Sequence, residues 1–289
     1  MTTLGPLITA MITPFNPDES INYDEAIRIT KHLVDTGTDC ILLSGTTGES
    51  PTLTHDEEFA LYRTIISELS NTPIMVGTGS NCTKTAIRST QEAEKLGAHA
   101  SLQVVPYYNK PSQDGLFAHF KAIADNTSLP IMLYNIPGRT GTNMTPETIA
   151  KLAEIPNIFA LKEAAGSVEQ FKQINRLVPS DFQLYSGDDG LTLEFMKNGA
   201  VGVVSVASHI AGKKISAMMT AYSSGDMQTA QSLHDELSAL FDVLFITSNP
   251  SPVKYALSTL GFNPGNPRLP LVPVTAAEQR QIDSVLQGQ

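Results

Sequence analysis

The chain is short of cysteine, of positive charge and of long apolar runs. Only Cys40 and Cys82 occur in 289 residues, one in an apolar stretch and one in a turn-like Ser-Asn-Cys-Thr segment. Two such isolated thiols make neither a disulfide framework nor a thiolate metal cluster. The 19 basic residues are outnumbered by 29 acidic ones, giving a net charge of −10. A nucleic-acid surface needs clustered Lys and Arg to displace counterions, so a polyanionic partner is not expected. No run approaches the ~18 apolar residues needed to cross a bilayer. The first basic residue is Arg28, so the opening lacks the positive region of a secretory signal, and a soluble, cytoplasmic protein is expected. The six histidines are scattered, with no pair at metal-ligand spacing, so no metal is expected either.

What the chain does have is repetition. Short apolar, β-branched runs begin near Leu7, Cys40, Pro73, Ala100, Pro130, Ile158, Gln183 and Gly202, spaced 19 to 33 residues apart. Each interval holds one strand, one helix and two turns, and eight such units predict a closed (β/α)8 barrel. The segments between them carry helix-start chemistry. Thr54 with Glu57 and Ser167 with Gln170 read as capping boxes, and Thr145-Pro146 places a capping hydroxyl before a first-turn proline. Gly37, Gly97 and Gly199 close helical patterns where a left-handed residue is wanted. After Ser224-Gly225 the alternation stops, and Met227–Phe245, Val253–Leu260 and Ala276–Leu286 read as helices. The expected organisation is therefore a barrel over 1–224 and a C-terminal helical region over 225–289, whose apolar face must pack on the barrel or on another subunit.

Active sites of such barrels lie beyond the C-terminal ends of the strands, and there this sequence is distinctive. Gly45-Thr46-Thr47-Gly48-Glu49-Ser50 follows the second run, Tyr107-Tyr108-Asn109-Lys110-Pro111 the fourth, and Tyr134-Asn135-Ile136-Pro137-Gly138-Arg139-Thr140-Gly141 the fifth. Lys162-Glu163 ends the sixth. A lysine closing an apolar strand is costly unless paired; desolvation lowers its pKa from about 10.4 and frees a neutral amine, the form that builds a Schiff base. A lysine paired with Glu163 or reaching solvent fits the position equally. The Gly45–Gly48 loop lacks a Walker lysine and suits a carboxylate better than a polyphosphate, or is a plain flexible turn. Tyr134 can face the barrel axis and move protons, or simply pack. Of Tyr107 and Tyr108, opposite in direction if extended, at most one serves a given pocket. Arg139 has the planar fork that grips carboxylates, though an exposed loop arginine needs no such role.

Together these motifs resemble the pyruvate-dependent class I aldolases of the dihydrodipicolinate synthase and N-acetylneuraminate lyase group, along the whole chain. Thr46-Thr47, Tyr-Tyr-Asn-Lys-Pro at 107–111 and Arg139 are most similar to the synthase branch. The resemblance implies that Lys162 forms an imine with pyruvate, that Tyr134 donates and accepts protons, and that Thr46 and Tyr108 relay them, Tyr108 reaching in from a neighbouring subunit. It implies that Thr47, Val204 and Gly187 meet pyruvate and that Arg139 holds the carboxylate of aspartate-4-semialdehyde. No cofactor beyond the covalent imine is implied, and the assembly implied is a homotetramer built from two dimers. The alternative within the group is another acceptor aldehyde, as in the neuraminate lyases or 2-keto-3-deoxy sugar-acid aldolases, with Arg139 as the discriminator. A keto-acid sensor without catalysis would have no use for Lys162, Tyr134, Thr46 and Tyr108 at once. Some relatives also bind lysine at a separate site, to which Ser50, Pro51, His55, Asn81 and Tyr107 correspond. Glu58 stands where sensitive relatives carry a histidine, and Thr85 where they carry a glutamate, which implies weak inhibition here.

Overall fold

In the computed structural model, which describes residues 4–69 and 71–288, the apolar runs are strands: β1 (Leu7–Ala10), β2 (Cys40–Leu43), β3 (Ile74–Gly77), β4 (Ala100–Val104), β5 (Ile131–Asn135), β6 (Ile158–Glu163), β7 (Gln183–Ser186) and β8 (Gly202–Ser205). They follow chain order in a closed barrel. Six begin where the sequence places them. The two exceptions, β3 and β5, start one residue after Pro73 and Pro130, since proline has no N–H to give a ladder.

The described residues pack as two units, one of Leu4 with 73–204 and the other of 5–69 and 71–72 with 205–288. In the first, β4, β5, β6 and β7 lie in parallel register, with Val104 opposite Tyr134, Tyr134 opposite Lys162 and Lys162 opposite Tyr185. Side chains alternate along a strand, so Tyr134 and Lys162 share one face while Asn135 and Glu163 share the other. Helices Thr83–Lys95, Gln113–Ala124, Pro146–Ala153 and Val168–Leu177 belong to this unit. Thr145 caps the third of these, with Pro146 in its first turn.

In the second unit β1 pairs with β2. Helix Met227–Val243 packs against Ser208–Ser223 and against Ala276–Leu286, which in turn meets Ser251–Thr259. The capping box at Thr54 and Glu57 opens helix His55–Glu68. The one expected at Ser167 is incomplete: Ser167 accepts from the Gln170 N–H, but the Gln170 side chain bonds Asn143 at 2.7 and 3.2 Å. A tertiary partner with both a donor and an acceptor outcompetes the single backbone N–H that a capping box offers. Gly37, Gly97 and Gly199 do take positive φ, at 103°, 85° and 103°. No helix among the described residues is long and apolar enough to cross a membrane.

Candidate active site

Lys162 is the next-to-last residue of β6 and only 6% exposed. Its Nζ lies 4.2 Å from the centre of the Tyr134 ring. Burial drives the amine from its usual 10.5 down to about 7; Asp189 opposes this and the Arg139 cation adds to it. Near neutrality a large share of the amine is therefore unprotonated, which is what a Schiff-base nucleophile requires.

Glu163 does not serve as the partner of this lysine. It points to the other face, where its carboxylate accepts from Asn135 Nδ2 at 3.1 and 3.3 Å and from the Ala165 N–H at 2.7 Å. Burial pushes that carboxyl up to about 7 despite these bonds. Asn135 also donates to Asn143 at 2.8 Å and accepts the Met144 N–H at 3.0 Å. It thereby ties the ends of β5 and β6 to the segment after Arg139. Sequence reasoning gave Asn135, Asn143 and Asp189 no role; only the position of Asn135 beside Tyr134 hinted at one.

Arg139 is exposed on a short helix, Pro137–Thr140, closed by Gly141 at φ 74°. Gly187 sits against the lysine stem. A Cβ there would come within 2.8 Å of Ala164 Cβ and 3.0 Å of Lys162 Cε, so any side chain would displace the amine. Val204, in β8, is buried. Tyr108 is 88% exposed and holds a left-handed φ of 74°. That backbone is uncommon for a bulky residue. Nearby, Asn81 Nδ2 donates to the Tyr107 carbonyl at 3.2 Å, which brings two of the residues matched to the lysine site together.

Within the second unit, the loop after β2 is held at several points. Asn249 Nδ2 donates to Thr47 Oγ1 at 2.8 Å, both side chains being buried. Thr13 donates to the Gly48 carbonyl at 2.7 Å. A Cβ on Gly48 would lie 3.0 Å from the Ser44 nitrogen and 3.2 Å from the Met11 carbonyl oxygen, so this turn needs glycine. Glu49, at φ 56°, pairs with Lys254 at 2.6 Å and accepts the Arg268 N–H at 2.9 Å. Burial lowers the Lys254 amine to about 8, Glu49 opposing. Lys254 and Arg268 also lie over the Phe15 ring, at 4.2 and 4.4 Å. Thr46, half-buried, accepts the Glu49 N–H on its carbonyl at 3.1 Å. Ser50 and His55 converge on Glu58, at 2.7 and 3.2 Å, and burial raises that carboxyl.

The model of the dihydrodipicolinate synthetase family matches residues 3–289. The chain belongs to this family. A relative from Cyanothece sp., named 4-hydroxy-tetrahydrodipicolinate synthase, is 52% identical over 100% of this chain and 99% of its own. Among solved structures, dihydrodipicolinate synthase from Bacillus anthracis is 45% identical with a TM-score of 0.97, covering 99% of both chains. The enzyme from Cyanidioschyzon merolae, solved with lysine bound, is 47% identical with a TM-score of 0.97, covering 99% of this chain and 98% of its own.

Proposed function

We propose that this chain condenses pyruvate with L-aspartate-4-semialdehyde to give 4-hydroxy-tetrahydrodipicolinate, in the diaminopimelate route to lysine. The observation that carries the reading is Lys162, buried on the Tyr134 ring with its amine brought to about 7.

The neutral Lys162 amine adds to the pyruvate ketone and water leaves, forming an iminium. That iminium is an electron sink, so no organic cofactor is called for: a methyl proton departs and an enamine nucleophile results. The enamine carbon attacks the aldehyde carbon of the semialdehyde. The substrate amine then closes the ring at the former keto carbon and releases Lys162.

Tyr134 moves the protons of these steps, with Thr46 and Tyr108 as a relay. The exposure of Tyr108 supports a role outside its own chain, in a homo-oligomer, a tetramer by family resemblance. Thr47, Gly187 and Val204 contact pyruvate, and Arg139 takes the semialdehyde carboxylate. The same reading places the enzyme in the cytoplasm and divides the chain into a barrel over 1–224 and a helical region over 225–289.

Two measurements test it. Borohydride with pyruvate should leave a stable secondary amine on Lys162, read by mass spectrometry. Pyruvate plus aspartate-4-semialdehyde should feed a coupled reductase that consumes the product. An adduct elsewhere rejects the mechanism, and turnover only with sugar-derived aldehydes rejects the acceptor.

A further inference from the structure

The bond between Asn249 and Thr47 spans 202 residues of sequence and is buried at both ends. A threonine hydroxyl has one proton to give and lone pairs to accept with. Asn249 Nδ2 donates, so it occupies a lone pair of Thr47 Oγ1 and leaves the hydroxyl proton to point elsewhere. A carboxylate accepts only. The loop that carries Thr47 is itself fixed just beyond it, by Thr13 on the Gly48 carbonyl and by Lys254 and the Arg268 N–H on Glu49. Asn249 bears a cost in doing this: its own Oδ1 is buried and lacks a hydrogen-bond partner among the described residues. Buried amide oxygens are nearly always satisfied, and an asparagine kept only for packing gains nothing from the arrangement.

We propose that Asn249 is a positioning residue that presets the Thr47 hydroxyl as a donor to the substrate carboxylate. This rests on the reading that Thr47 contacts pyruvate. By this account Asn249 touches no reacting atom. Its effect appears in pyruvate affinity, and it passes entirely through Thr47.

The experiment measures the pyruvate concentration that half-saturates borohydride trapping of Lys162, together with kcat in the coupled assay. It uses the full-length enzyme and five variants: Asn249→Ala, Asn249→Asp, Thr47→Val, and each Asn249 change combined with Thr47→Val. Asn249→Ala should raise half-saturation roughly tenfold, the order of one weakened hydrogen bond to a charged group. At saturating pyruvate kcat should stay within about threefold, since an interaction lost equally from ground and transition states moves KM alone. Asn249→Asp keeps the side-chain shape but can only accept, so it draws the Thr47 proton to itself; its loss should exceed that of alanine, opposite to the order that packing predicts. In the Thr47→Val background neither change should add more than about twofold.

Native half-saturation in both Asn249 variants, with Thr47→Val impaired, overturns the inference and leaves the reading of Thr47 intact. Native half-saturation in Thr47→Val itself overturns both. A further loss on adding Asn249→Asp to Thr47→Val shows plain charge repulsion, and also overturns the inference.

Discussion

Lys162 faces Tyr134 as its register partner on the neighbouring strand, its Nζ 4.2 Å from the ring centre. An aromatic face favours a cation, so this contact works to keep the amine charged. Burial works the other way and wins, since the amine falls to about 7. The site thus holds an amine poised near neutrality against the ring of a tyrosine.

The pH dependence of imine formation should follow that balance. Its rate should climb with pH through about 7 and level off above it, read as trapping by cyanoborohydride at fixed pyruvate. Stability should respond as well. Unfolded, the lysine titrates near 10.5, so between about 7 and 10.5 the folded chain holds fewer protons than the unfolded one, and stability rises with pH across that window. Below it the penalty is present in full, roughly 5 kcal/mol at about 1.4 kcal/mol per unit. Lys162→Met should therefore be more stable than the parent near pH 6, by a margin that shrinks toward pH 10. A margin independent of pH would show that Lys162 is not desolvated.

Tyr134→Phe keeps the ring under Lys162 and removes the hydroxyl. Folding should be unchanged and pyruvate should still be trapped, while kcat falls roughly 10²–10⁴-fold, the usual size of a general acid–base contribution. A near-native rate would reduce Tyr134 to a packing residue.

Arg139→Ala should raise the KM for aspartate-4-semialdehyde while imine formation survives. Because the Arg139 cation contributes to lowering the Lys162 amine, the midpoint of the imine pH profile should also move upward. Equal loss of both steps would contradict the division of labour between Lys162 and Arg139.

If Tyr108 serves the neighbouring subunit, two dead variants should rescue each other. Mixing Tyr108→Phe with Lys162→Ala subunits under exchange gives hybrids in which one site has Lys162 from the first chain and Tyr108 from the second. Activity should return to about a quarter of wild type, since half the subunits form hybrids and half the sites in each are whole. No recovery, or a fully active monomer by sedimentation, would place Tyr108 in its own chain's site or outside any.

Much of this molecule is legible locally. Strand starts, the Thr54 box, the Thr145-Pro146 start and the closing glycines each depend on a few adjacent residues, and each can be read from them. Lys162 is legible because a charge inside an apolar strand breaks the local pattern, and such breaks collect at functional sites. What the sequence hides joins distant segments: Asn249 to Thr47, Lys254 to Glu49, Gln170 to Asn143. The last of these also explains why the Ser167 box was over-read, since nothing within four residues shows where the glutamine will find a better partner. The short helix under Arg139 was missed because Pro-Gly-Arg-Thr carries turn signals as strong as any for helix.

Lysine should inhibit this enzyme weakly. By the family resemblance, Ser50, His55, Asn81 and Tyr107 correspond to the lysine site of sensitive relatives, while Glu58 and Thr85 stand in place of the histidine and the glutamate the resemblance implies there. Thr85 removes a counter-charge for an ammonium, and a charge-assisted hydrogen bond is worth ~1.5–3 kcal/mol, so its loss weakens binding roughly 10–150-fold. Glu58 offers a carboxylate in exchange, but one already engaged: Ser50 Oγ donates to it at 2.7 Å and His55 Nδ1 lies at 3.2 Å. Its carboxyl is buried, and burial raises its pKa, so the group gives up charge more readily than an exposed glutamate. To use Glu58, lysine would have to displace Ser50 or His55 and pay for desolvating its own ammonium. Inhibition at low millimolar lysine should accordingly be slight in the coupled assay, and Glu58→His combined with Thr85→Glu should strengthen it. An inhibition constant well below a millimolar in the parent, abolished by Asn81→Ala or Tyr107→Ala, would show instead that Glu58 receives the ammonium and takes over the role of the missing glutamate.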